Sequence, residues 1–338
     1  MKTFLLTLLF FTQLSCMSKA QEQTNVQLPV DSLPSPAHIT LLFAGDLMQH
    51  QAQINAAYTP SGYDYSDYFK SIKDEISRAD IAIGNLEVTL GGKPYKGYPT
   101  FSAPDEYLYA IRDAGFNVLV TANNHCLDKG KNGLERTIQM LDSLHIPHAG
   151  TYINADTRKQ QYPLLLEQNG FRIALLNYTY GTNGIKVTYP NIVNYIDKAI
   201  IMQDIKDAKT LHPDAIIACM HWGDEYHSLP NKEQTTLADW LLEQGVTHII
   251  GSHPHVVQPM ELRTDSITGE RHAVVYSLGN FISNMSARHT DGGILFRLDL
   301  EKDSITRVTN CGYSLVWTSR PLLSRKKNHR LLPANYPS

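Results

Sequence analysis

The chain is poor in cysteine, with four in 338 residues. Cys16 lies in the N-terminal stretch, which leaves Cys126, Cys219 and Cys311 widely spaced over the remainder. An odd, scattered set builds neither a disulfide framework nor a thiolate metal site, so any metal here must use imidazoles, carboxylates and amides. Positive charge is not in surplus either. There are 30 Lys and Arg against 33 Asp and Glu, a formal net charge of -3. That balance argues against nucleic acid as a partner. The basic cluster SRKKNHR (324–330) reads as part of a solvated tail over residues 321–338. No apolar run is long enough to span a bilayer, since residues 4–11 are broken by Thr7 and a span needs about 20 residues. Internal repeats are absent, and so is low-complexity sequence after residue 37. With 42% hydrophobic and 19% charged residues, the composition is that of a chain that folds around a core.

The first 20 residues read as an export signal, with Lys2 ahead of the apolar stretch. Two processing readings compete. Ser18-Lys19-Ala20 offers small residues where signal peptidase cuts. Leu14-Ser15-Cys16 resembles a lipobox with Gln13 in place of the preferred Leu, so that the signal ends before Cys16 and Cys16 carries the lipid. Residues 21–37, which include LPVDSLPSP, read as a Pro-rich tether. Either reading puts the protein outside the cytoplasm, lipid-anchored to the membrane or else secreted or periplasmic.

From residue 38 to 320 short apolar runs recur, and each leads into a polar cluster. ITLLFA (39–44) leads into GDLMQH, ADIAIG (79–84) into NLE, and FNVLVTA (116–122) into NNH. IIACM (216–220) leads into HWGDEYH, THIIG (247–251) into SHPH, and VVYSL (274–278) into GNF. Such runs predict buried strands. Helical spacing appears at 65–77, 106–114, 132–144, 194–209 and 232–244, with Asp64 and Asn231 as N-cap candidates and Gly115 and Gly245 as stops. Asn169-Gly170 marks a hairpin, and GGILFRLDL opens a C-terminal β run. Strand alternating with helix predicts one α/β domain of mixed sheets packed between helices.

Every polar cluster sits at the C-terminal end of a predicted strand, which is where ligands bind in open α/β sheets. Singly, the residues there read as turns and caps. Together, Asp46, Glu87, Asn124, His221 and the His253/His255 pair make an oxygen and imidazole set suited to Zn, Mn or Fe. Glu225 and His227 of HWGDEYH alternate with His221 and Gly223 and could face the site, with a solvated loop as the preferred reading. The loop 91–104 mixes Lys93 and Lys96 with Tyr98 and is expected to cover the site and meet an anionic substrate. Asn280 is a candidate to orient ligands, and Cys126, beside His125, a candidate for oxidation.

The order Asp, acidic residue, Asn-His, His, His-x-His resembles the calcineurin-like metallophosphatases. The pieces GDLM, GNLE, ANNH with Asp128, HWGDEY, GSHPHVVQ and YSLGNF resemble one branch closely, the CapA family of capsule or poly-γ-glutamate synthesis proteins. The resemblance implies a four-layer α/β/β/α sandwich with one or two divalent ions at its edge. It implies that Glu87 bridges the two ions, that Asp46 and His255 complete one, and that Asn124, His221 and His253 complete the other. His125 would be the general acid with Asp128 beside it, and water activated by the metal the nucleophile. Three positions depart from the broader phosphatase pattern: Met48 stands where that pattern has His, leaving His50 as a candidate substitute, Glu87 replaces an Asp, and the acid near His125 is displaced to Asp128.

The function so implied is that of an exported protein of capsule or surface-polymer synthesis or export, with a hydrolase-like site. Its expected partners are an anionic polymer or phosphorylated substrate, membrane subunits of a capsule machine, and the membrane itself through an N-terminal lipid. A general extracytoplasmic phosphoesterase and a non-catalytic, metal-stabilised scaffold are the alternatives.

Overall fold

Strands that are apolar on both faces need cover on both faces. In the computed structural model, which describes residues 35–324 and 327–335, they have it. The signal, Cys16 and nearly all of the tether lie outside the described residues. The strand Ala37–Leu47 sends Ile39, Leu41 and Phe43 to one face and Leu42 and Ala44 to the other. It forms the middle of a mixed sheet, parallel to Ile81–Leu86 on one side and antiparallel to Gly292–Lys302 on the other. Val118–Val120 and His148–Ala149 extend the parallel side, and Thr306–Ser319 the antiparallel side.

A second mixed sheet is built on Phe171–Thr179, Ala215–His221, His248–Ser252 and Arg271–Val275, all parallel. Leu164–Gln168 and Met260–Thr264 pair antiparallel at its two edges. Ile39, Leu41, Phe43, Ile83 and Val120 of the first sheet pack with Ile173, Leu175, Ile217 and Ile250 of the second. The outer face of the first sheet packs on Leu108 and Ile111 of helix Asp105–Asp113 and Leu141 of helix Gly130–Ser143. The outer face of the second packs on Ile201 and Ile205 of helix Lys198–Thr210 and Ala238 and Leu241 of helix Lys232–Gln244. The layers therefore run α/β/β/α, as the resemblance implies.

Local signals act as expected in several places. Asn231 and Gln234 form a capping box, and Gly245 ends the same helix at φ 102°. Asn169 and Gly170, both at positive φ, turn the hairpin. Two expectations are corrected. The apolar spacing at 65–77 yields only the short helix Lys73–Ile76, because the carbonyl of Tyr68, which a helix would spend on Ile72, accepts instead from Leu331 N–H at 2.8 Å. For the same reason the C-terminal segment is not simply a solvated tail. Arg330–Pro333 pairs with Thr306–Ser319, and Leu331 is buried. Helices Gln51–Ala57 and Ala155–Gln161 were not expected; each is seven residues long and too short for a clear apolar stripe.

Candidate metal centre

The two sheets present the C-terminal ends of five parallel strands to one edge of the sandwich. Asp46 ends Ala37–Leu47, Glu87 follows Ile81–Leu86, and Asn124 follows Val118–Val120. His221 ends Ala215–His221, and His253 and His255 follow His248–Ser252. All six side chains are buried. Backbone approach at this edge is close. A Cβ on Gly45 would stand 1.9 Å from the Gly279 carbonyl oxygen, and one on Gly251 would stand 2.0 Å from that of Tyr276. His253 and His255 hold φ of 100° and 59°, a conformation that costs a side chain of this kind of order 1–3 kcal/mol and collects at functional sites.

The side chains interlock. Asp46 Oδ1 accepts from Asn85 Nδ2 at 2.8 Å, and its Oδ2 lies 3.2 Å from His255 Nδ1. His255 Nδ1 is also 3.0 Å from Asn280 Oδ1, so Asn280 does orient this ring. His221 Nδ1 lies 3.2 Å from Asn85 Nδ2, and its Nε2 lies 3.0 Å from Asn124 Oδ1. Glu87 Oε1 stands between the imidazoles, 3.8 Å from His221 Nε2 and 4.0 Å from His255 Nε2. His253 packs its ring 4.8 Å from that of His221 and 4.5 Å from that of Tyr180.

The charges are ill-matched as they stand. Burial pushes Glu87 well above the usual carboxylate range, and the neighbouring Asp46 charge adds to this. Burial also acts to raise Asp46, but the bond to His255 and that ring's charge outweigh it and hold Asp46 below its ordinary value. Burial takes His221 far down, with the His253 charge adding, and takes His253 to about 3, with His255 adding. His255 is raised, because the Asp46 bond and charge overcome the burial that would lower it. The Asp46–His255 contact thus favours the charged forms of both, while burial drives Glu87, His221 and His253 toward neutrality. Glu87 itself has no cationic partner, since His255 gives its bond to Asp46 at 3.2 Å and stands 4.0 Å from Glu87.

A divalent cation fits that lack. Both Glu87 oxygens and His253 Nδ1 are buried without a hydrogen-bond partner, and burying such groups unpaired is costly. Three overlapping groups hold their donor atoms within 4.8 Å of one another: Glu87/His221/His253, Asp46/Glu87/His255 and Glu225/His253/His255. Two ligand atoms each about 2.1 Å from one ion stand roughly 3 to 4.2 Å apart, and the Glu87 separations fall in that range. Glu87 is common to the first two groups, which is the position a bridging carboxylate needs.

His125 lies at the same edge. Asp128 Oδ2 is 2.7 Å from His125 Nδ1 and also accepts from Phe101 N–H at 2.7 Å. Asp128 does not cap the following helix, whose N-cap is Lys129. The loop 91–104 therefore bonds through Phe101 to the carboxylate that faces His125, and the Phe101 ring packs 4.6 Å from the His125 ring. Tyr98 is exposed and packs 6.3 Å from Phe101. Lys93 instead lines a separate depression with Gln51, Tyr58 and Tyr63. Lys96 is exposed and bonds through its backbone to Ser102. His50 falls outside the three donor groups. Its Nδ1 accepts from Asn284 N–H at 3.3 Å, and it caps helix Gln51–Ala57. Met48 is buried in the apolar core beneath. Cys126 is not a candidate for oxidation, since burial pushes its thiol up to about 12.

Two site residues carried weak sequence signals. Asn85 looks like one more strand residue in GNLE until its amide is seen to tie Asp46 to His221. Glu225, for which the alternation with His221 and Gly223 left a place at the site open beside the solvated loop, is brought to the histidines, with Oε1 4.0 Å from His255 Nε2. His227 stays exposed, as expected.

Residues 40–285, more than half of the chain, match the family model described as bacterial capsule synthesis protein PGA_cap. The capsule biosynthesis protein CapA of Bacillus anthracis is 28% identical over 276 residues, which cover 78% of this chain and 64% of that protein. The PGA biosynthesis protein CapA of Bacillus subtilis is 29% identical over 275 residues, covering 78% and 68%. The chain thus spans about two thirds of the length of these relatives. Among solved structures, 5'-nucleotidase from Candida albicans aligns with TM-score 0.46 at 12% identity, over 82% of this chain and 52% of that one. TT1561 of Thermus thermophilus aligns with TM-score 0.41 at 10% identity, over 76% and 93%.

Proposed function

Since the chain belongs to the bacterial capsule synthesis family PGA_cap, we propose that it is an exported, metal-dependent hydrolase-like protein that acts in the synthesis, export or anchoring of a surface polymer. The observation that carries the reading is Glu87, a fully buried carboxylate with both oxygens unpartnered and two imidazoles within 4.0 Å. Asp46, Glu87, Asn124, His221, His253 and His255 would hold one or two ions, with Mn, Zn or Fe fitting the donors. A cation held there supplies polarisation of a phosphoryl or carbonyl oxygen and acidification of a water. The chain's own groups do the rest. Asp128 fixes the His125 ring through Nδ1, which leaves Nε2 to hold a proton for a leaving oxygen or nitrogen. Phe101 shields that ring from water on one side. Tyr98 and Lys96, on the same loop, would meet an anionic polymer or a phosphorylated substrate, and membrane subunits of a capsule machine would be the protein partners.

The test is metal content of the purified protein, wild type beside His253→Ala, with a hydrolysis screen on the same samples. The expected result is one or two equivalents of Mn, Zn or Fe in wild type, most of it lost in His253→Ala, and turnover of a phosphoester or amide substrate lost in His125→Ala. Wild type that stays metal-free in Mn- and Zn-supplemented buffer would overturn the reading. Metal without turnover, and a cellular phenotype that survives His125→Ala, would leave a scaffold.

Export rests on the N-terminal pattern. With Leu14-Ser15-Cys16 read as a lipobox, Cys16→Ser is expected to move the protein from the membrane fraction to the soluble one. A wild type already soluble outside the cell would favour cleavage after Ala20.

A further inference from the structure

We propose that Glu225 is a ligand of the metal centre, supplied by the loop that follows Ala215–His221 of the second sheet. This rests on the metal-centre reading above and adds to it a residue that the family order of Asp, acid, Asn-His, His and His-x-His leaves out.

The geometry starts with His255. Its Nδ1 is taken by Asp46 Oδ2 and Asn280 Oδ1, so only Nε2 is free to face a cation. That atom stands equally far from two carboxylate oxygens, Glu87 Oε1 and Glu225 Oε1, each at 4.0 Å. Glu225, His253 and His255 hold donor atoms within 4.8 Å of one another. Two residues of the overlapping donor groups carry buried polar atoms without a hydrogen-bond partner, namely both oxygens of Glu87 and Nδ1 of His253.

The backbone fixes Glu225 there. Trp222 N–H donates to Ser252 O at 3.1 Å, and Tyr226 N–H donates to Pro254 O at 2.8 Å. These bonds flank Glu225 on either side and tie its loop to the turn that carries His253 and His255. Gly223, at φ 85°, makes the bend that lets the loop fold over. Glu225 brings a third carboxylate to a cluster that already holds Asp46 and Glu87, and its charge raises Glu87 further while also raising His255. A divalent ion turns that repulsion into attraction. On the first sheet Met48 has no oxygen or nitrogen in its side chain and is buried in the cluster that holds Tyr68, Phe101 and Tyr107, and His50 Nδ1 is taken by Asn284 N–H at 3.3 Å. Three carboxylates with two or three imidazoles favour Mn(II) or Fe(II), which accept more oxygen donors than structural Zn does.

The test compares wild type, Glu225→Gln and Asp224→Asn in Mn(II) titrations followed by calorimetry, with Co(II) absorption spectra as a readout of coordination. Asp224 is the control for charge alone. It acts on His253 electrostatically, but its carboxylate accepts from Asn231 Nδ2 at 2.9 Å and belongs to none of the donor groups. Glu225 is part-exposed, so its replacement leaves the fold intact, which circular dichroism checks. The expected result is a Mn(II) affinity lowered at least about tenfold in Glu225→Gln, a changed Co(II) spectrum, and Asp224→Asn within about threefold of wild type. Glu225→Gln with unchanged affinity and spectrum would overturn the inference and leave the metal centre standing. Equal losses in both variants would reduce Glu225 to a distant charge, which also overturns it. A wild type that binds no metal would overturn both readings.

Discussion

His248 shows what burial does to one imidazole away from the proposed centre. Its Nδ1 accepts from Ala273 N–H at 3.0 Å, and its ring lies 6.5 Å from that of His272. Burial lowers it to about 3, with the His272 charge adding. In the unfolded chain the same group titrates near 6.5. Between those values the unfolded chain takes up a proton that the folded chain refuses, so the contribution to stability is complete above about 6.5 and is lost as pH falls toward 3. His248→Gln keeps an acceptor for Ala273 but has no proton to gain. Urea unfolding of both proteins from neutral pH downward should give the variant a shallower loss of stability with acid, by up to about 1.4 kcal/mol per pH unit. Parallel curves would show that this ring is protonated in the fold. The histidines of the site carry a different cost. His253 and His255 hold strained backbone, and they keep it because that bend aims both rings into one space.

At the scale of elements, most of the architecture was legible because it is written in strand ends. A run such as ADIAIG or THIIG declares a buried strand by its β-branched and apolar residues, and the polar cluster after it declares the edge. Five such edges named Asp46, Glu87, Asn124, His221 and the His253/His255 pair. What the pattern could not show was partnership at long range. The segment 65–77 has helical spacing, and its Tyr65, Tyr68, Phe69, Ile72 and Ile76 are indeed buried. Its backbone is claimed by a strand more than 250 residues later, and no local signal records that. The same contact turns His329 and Leu331 from tail into core. Glu225 was left undecided for a similar reason. Its position depends on two backbone bonds to the Ser252–Pro254 turn, whereas its own neighbours, Asp224, Tyr226 and His227, are exposed and look like any loop. Asn85 was hidden by position alone, as a polar residue inside an apolar strand.

At the scale of the molecule, the arrangement of the donors makes a thermodynamic statement. Asp46, Glu87 and Asn124 belong to one sheet, and His221, His253, His255 and Glu225 to the other. Between the sheets lies a core of apolar side chains, crossed by a few directional bonds such as those from Thr121 and Ala122 N–H to Asn177 Oδ1 at 3.2 and 2.7 Å, and a cation bound at the edge would add a further directional link between the two halves. Because the ligands share one site only when both sheets are in place, the unfolded chain has no comparable affinity, and binding adds to folding stability. At a free metal concentration one hundred times the dissociation constant, that addition is about 2.7 kcal/mol, which for a domain of this size raises the melting temperature by several degrees. Chelation of the wild-type protein should therefore lower its melting temperature and leave a single transition, and added Mn(II) should restore it. In His253→Ala neither treatment should shift the transition. A wild type whose melting ignores chelator and metal alike would show that the cluster is stable as it stands and has no cation to hold.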